Sequence, residues 1–138
     1  MQKIIHTIRD HKMEAGFFKE KNDCSVVAFV NTTGIHYFEA HRLMEDHGRK
    51  NKNGAHTHCI RNAMATKPGG KTFKKVAHIG TGPGQRKVTI ATWAKYHGTG
   101  TWYCFVTGHV FAMVDGVVMD TGFNRPGTRI DEVYQMVD

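Results

Sequence analysis

Three residues of this chain have the types and order that acyl-transfer chemistry uses: Cys24, His109 and Asp120. Cys24 follows the turn-forming pair Asn22-Asp23 and precedes Ser25 and the apolar run Val26-Val27-Ala28-Phe29-Val30. If that run is a buried helix, the cysteine sits on its first turn. There the unpaired N–H groups and the positive end of the helix dipole favour thiolate over thiol. A thiolate nucleophile needs a base and a group that orients the base.

The C-terminal part offers both. Asp115-Gly116 between apolar runs is a strong hairpin signal, and a two-residue turn there pairs Val114 with Val117. Counting outward pairs Phe111 with Asp120 and His109 with Gly122. Alternation puts His109 and Phe111 on one face, and the residue opposite Phe111 shares it. His109 and Asp120 are then diagonal neighbours, ~7–8 Å apart at the backbone. A carboxylate so placed holds one imidazole nitrogen and leaves the other for a thiol. Cys24, His109 and Asp120 thus read as nucleophile, general base and orienter.

The elements that must carry these residues are legible in part. Cys24 to Val30 reads as a helix closed by the turn cluster Asn31-Thr32-Thr33-Gly34. A second helix spans roughly His36 to His47, with Tyr37, Ala40, His41 and Met44 at helical spacing and Gly48 as its C-cap. Its His41 and His47 read as surface or edge residues. The segment from Arg49 to Lys75 reads as a long loop with a short helix near Cys59 to Ala65. Val76 to Ile79 reads as a short strand, followed by a tight loop at Gly80 to Gly84. Thr89 is the expected N-cap of a helix to about Tyr96, with Ile90, Trp93 and Ala94 facing the core. Trp102 to Val106, His109 to Val114 and Val117 to Asp120 read as strands, and Ile130 to Val137 as a last strand or short helix. The expected fold is α+β over a single domain, 1–138, with N-terminal helices packed on a small antiparallel sheet.

Here the chain resembles the small papain-like cysteine peptidases of phages and bacteria. The resemblance rests on Asn22-Asp23-Cys24, Tyr37-Phe38-Glu39-Ala40-His41 and Gly48-Arg49, then on Gly100-Thr101-Trp102, Gly108-His109-Val110 and Asp115 to Thr121. It covers roughly 20–50 and 88–138. It implies a peptidase or a related thiol hydrolase or acyl transferase (deamidation, acyl transfer or isopeptide cleavage would use the same three residues), with an acyl-enzyme intermediate, a protein or peptide substrate, no cofactor, and action in the host cytoplasm if phage-encoded. The glutamine that donates to the oxyanion in papain-type enzymes is absent, and Phe18 stands where it would fall. The Cys24 N–H would be one donor, with Asn22 or Lys19 as the second.

Composition allows another function. The formal charge is +7, and no Asp or Glu occurs between Asp46 and Asp115, an interval that holds eleven Lys and Arg residues. A basic middle of this kind faces nucleic acid, an acidic protein partner or plain solvent. The alternative to an enzyme is therefore a catalytically degenerate basic binding protein.

Other groupings carry less. His56-Thr57-His58-Cys59 has metal-compatible types, but no second paired motif accompanies it, so a polar loop and no metal is expected. Gly80-Thr81-Gly82-Pro83-Gly84-Gln85-Arg86-Lys87 fails the P-loop pattern. Trp93, Trp102 and Cys104 read as core residues. No apolar run approaches the ~20 residues of a membrane span, and the first ten residues turn charged too soon for a signal peptide. Three widely spaced cysteines point to a reducing, cytoplasmic setting.

Overall fold

A helix with five consecutive apolar residues presents them round its whole circumference, and is stable only when covered on several sides. Helix α1, Cys24–Thr33, is of this kind. Ser25 through Phe29 are all buried. The computed structural model describes residues 24–49, 57–76, 88–119 and 126–137. Over these, four helices surround a five-stranded antiparallel sheet. Helix α1 packs on it; α2, Tyr37–Asp46, packs on α1, and α3, Thr57–Ala65, packs on α2 and β1. The last helix, α4, is Ile90–Tyr96. The α+β expectation, with N-terminal helices on an antiparallel sheet, holds.

The strands are β1 Thr72–Lys75, β2 Thr101–Val106, β3 His109–Val114, β4 Val117–Met119 and β5 Glu132–Val137. Their order across the sheet is β1-β5-β2-β3-β4. Alternation along β2 sends Tyr103 and Phe105 to one face and Trp102, Cys104 and Val106 to the other. The first face joins Val110 and Tyr134 to α1, α2 and α3. The second joins Phe111, Met113 and Val133 to Ile90, Trp93 and Ala94 of α4. Both tryptophans are buried here, edge to face with centroids 5.2 Å apart.

The Asp115-Gly116 hairpin forms as the sequence suggests. Both residues have positive φ, 49° and 79°, as a type I′ turn requires. The register pairs Val114 with Val117, Met113 with Val118 and Ala112 with Met119. Thr89 caps α4 by accepting from the Thr92 N–H at 3.2 Å. Gly48, at φ 103°, ends α2. Its N–H donates to Glu45 O, and the Arg49 N–H donates to Met44 O, which together close a Schellman motif.

Several expectations are corrected. Helix α1 runs through Asn31, Thr32 and Thr33 instead of ending before them. The Thr32 and Thr33 hydroxyls bond back to Ala28 O at 2.8 Å and Phe29 O at 2.6 Å, so these turn-forming residues are satisfied inside the helix. His41 is buried, not at the surface, with its Nδ1 3.0 Å from Glu45 Oε1. The first strand is Thr72–Lys75, inside the stretch read as a loop. Its lysines suit an edge strand, where one face and one edge stay wet. Of the strand expected at 76–79, Val76 follows β1 directly and 77–79 lie outside the described residues, as does the Gly80–Gly84 loop.

Glu132, mostly buried, ties β5 to α3 and β1. Its Oε1 lies 2.7 Å from Arg61 Nη2 and 3.1 Å from Lys75 Nζ. Burial alone would push this carboxyl up; hydrogen bonds from Arg61 and Lys75 outweigh it and hold it below the usual range. A depressed carboxyl adds stability above its unfolded pKa, and that stability is lost as pH falls through the folded value. Glu132→Gln should cost about 0.5–1 kcal/mol near neutral pH, since both cations are largely exposed. In urea titrations the gap to wild type should close in acid.

Candidate functional site

The N-terminal end of α1 and the β2–β3 hairpin enclose a pocket of about 170 Å³. Cys24 and Ser25 line it from α1, Thr57 and Ile60 from α3, and Phe105, Val106, Gly108, His109 and Val110 from the hairpin. The hairpin turn is Thr107-Gly108, with Gly108 at φ 74°. Two of the three sequence-derived residues, Cys24 and His109, thus border one cavity. Asp120, Asn22 and Lys19 lie outside the described residues. The β3–β4 register runs as expected up to Met119, the residue before Asp120.

Cys24 is the first residue of α1 and is half-buried. Its setting is fixed by Tyr103, which sequence reasoning passed over. The Tyr103 hydroxyl donates to Ser25 O at 3.2 Å and anchors the first turn. Burial pushes the Tyr103 phenol well up, and negative charge on Cys24 adds to it, so Tyr103 stays a neutral donor. The signal for Tyr103 was its place on a strand one position from Cys104, on the face given to the helices.

His109 approaches from a different direction. It pairs with Val106 and shares a sheet face with Phe111, whose ring is stacked 6.3 Å away. That face carries α4, whereas α1 lies on the other. Cys24 and His109 therefore come to the pocket from opposite faces, at the open end of the hairpin. Where a Gly108 Cβ would stand, nothing lies within 4 Å.

Ser25 is the pocket's unusual polar residue. Its Oγ is buried and has no hydrogen-bond partner among the described residues. Thr32 and Thr33 find carbonyls one turn back, whereas the residues one turn before Ser25 lie outside the described ones.

The other cysteines are differently placed. Cys104 is fully buried in the second core, and burial pushes its thiol far up. Cys59 is buried, with its Sγ 3.5 Å from His58 Nε2. Among the described residues, no three His, Cys, Asp or Glu side chains converge as metal ligands would; His56 lies outside them. Among the described residues, no helix is long and apolar enough to cross a membrane. The basic middle is not uniformly solvated, since Arg49 is buried and Arg61 and Lys75 pair with Glu132.

No family model, curated protein or solved structure matches this chain.

Two outcomes test this geometry. Under native conditions a small alkylating reagent should modify Cys24 and leave Cys104 unmodified until the chain unfolds, read by peptide mass mapping. Tyr103→Phe should cost about 1 kcal/mol in chemical denaturation, because it leaves the Ser25 carbonyl one buried donor short.

Proposed function

We propose that this protein is a papain-like cysteine hydrolase acting as a peptidase. One observation carries the reading: a half-buried cysteine opens a buried helix and lines the same pocket as the histidine that opens β3. A helix N-terminus favours thiolate, and a histidine that turns into the shared pocket would supply the proton transfer that acyl exchange needs.

In this reading the Cys24 thiolate attacks the substrate carbonyl carbon, and the tetrahedral oxyanion gathers at the Cys24 N–H. His109 gives its proton to the leaving amine, and the C–N bond breaks to leave a thioester. Water, deprotonated by His109, then hydrolyses the thioester and restores the thiol. His109 reaches the thiol round the hairpin end, through the space beside Gly108. Asp120, one residue beyond the register seen for β3 and β4, holds the imidazole tautomer. Asn22 or Lys19 supplies the second oxyanion donor. The substrate is a protein or peptide, from host or phage, met in the host cytoplasm.

The acid-free middle favours a second reading, a basic protein that holds nucleic acid or an acidic partner and no longer uses its thiol. Alkylation of Cys24 against pH separates the two, in a background with Cys59 and Cys104 replaced. The hydrolase should label fast at about pH 5–6, where only a depressed thiol is ionised. His109→Ala should slow that labelling at least about tenfold, and Asp120→Asn by less. Labelling that rises only near the ordinary thiol value of ~8.5, indifferent to His109, would reject the hydrolase.

A further inference from the structure

Among the described residues the sheet ends at β1. β1 pairs with β5 through Thr72 with Val137 to Lys75 with Tyr134, and among the described residues no strand lies on its other side. A terminal strand keeps a row of ladder N–H and C=O groups directed outward. At the border between this strand and α3 lies a pocket of about 190 Å³. Met64, Phe73 and Tyr134 give it an apolar floor, and the exposed Arg61 and Lys67 stand at its rim. Lys74 and Lys75, also exposed, complete the strand. Among the described residues, Arg61 and Lys75 pair with Glu132, Lys67 stands beside them at the pocket, and Lys74 alternates to the other face of the strand.

We propose that the β1 edge and this pocket bind an extended acidic peptide segment. The segment adds a strand to β1 and places one apolar side chain over Phe73 and Tyr134. Main-chain hydrogen bonds to the edge supply affinity, and the pocket and cations supply selection. A second copy of this edge is a poor occupant, because two lysine-bearing strands repel. Nucleic acid is also disfavoured. Binding single strands needs open aromatic faces, and these rings are engaged in the core. Phe73 meets Phe29 and Tyr103 edge-on at 5.7 and 5.9 Å, and Tyr134 packs on Phe105 at 5.6 Å.

The docking rests on the edge and the pocket, not on thiol chemistry. Helix α3 nonetheless links the two sites, with Thr57 and Ile60 at one pocket and Arg61 and Met64 at the other. At ~1.5 Å per residue they lie about one or two turns apart. Where Cys24 acts as a nucleophile, this edge is an exosite for its substrate.

Fluorescence polarisation with a labelled Glu/Val-alternating peptide of about eight residues, a strand's length, tests the proposal on the whole chain. Saturable binding is expected, weakened at least about tenfold by Lys67→Glu with Lys74→Glu. A peptide N-methylated at alternate residues should lose a similar factor. Amide exchange at residues 72–75 should slow on binding, and circular dichroism should show the double variant folded. Cys24→Ala should bind as wild type does, so failure of the hydrolase reading leaves this result intact. Three results would each overturn the proposal: no saturable binding, binding indifferent to N-methylation without slowed exchange at 72–75, or a single-stranded oligonucleotide of equal length binding more tightly than the peptide.

Discussion

The burial of α1 against the sheet is the constraint on which everything else depends. A run of Val26, Val27, Ala28 and Phe29 cannot remain wet, and the chain covers it with α2 on its flank and β2 and β3 beneath. Phe29 sits at the centre of an aromatic group, 5.0 Å from Tyr103 and 5.7 Å from Phe73. Fully burying such a ring contributes about 1.5–3 kcal/mol. Because the helix is held along its length, its first residue is held too. Cys24 stands at the rim of the core, neither free in solvent nor sealed like Cys104.

The sheet imposes the second constraint. Its faces bury different partners, so every strand residue is committed to one side by parity. Phe105 and Val106 are neighbours in sequence and belong to different cores. Parity gives His109 to the side of Val106 and Phe111, while α1 takes the other side. Only at the end of a hairpin, where the sheet stops, can groups from both faces meet. The pocket is found there, with a glycine in the turn.

Where the sequence was readable, local chemistry and tertiary need agreed. Asp115-Gly116 satisfies a turn that requires two positive φ angles, so register followed from two letters. Thr89 and Gly48 were readable as helix ends for similar reasons. Asn31 to Thr33 misled because their hydroxyls and amide serve turns and helices equally, and only burial decides. Asn31 here donates to Met119 O at 3.0 Å, a bond across the fold that no local pattern announces. β1 was missed because its lysines answer to an edge, a property of the assembled sheet. His41 was misjudged because its burial comes with a carboxylate one turn on, at Glu45. At the site, residue types gave Cys24 and His109, but hairpin parity alone could not say on which face the helix would settle. Tyr103 and Ser25 matter only through where α1 lands.

The sheet order has a kinetic side. β5 is last in sequence among the described strands, yet it lies between β1 and β2. β1 therefore has no place in the sheet until a segment encoded far downstream has been inserted beside it. The β2–β3–β4 meander, joined by two short turns, can form early from local contacts. Pairing of distant strands comes at the cost of closing a long loop and is slow. During synthesis the helices would meet a three-stranded platform first, and β5 would then carry β1 and Glu132's ties to α3 into place together.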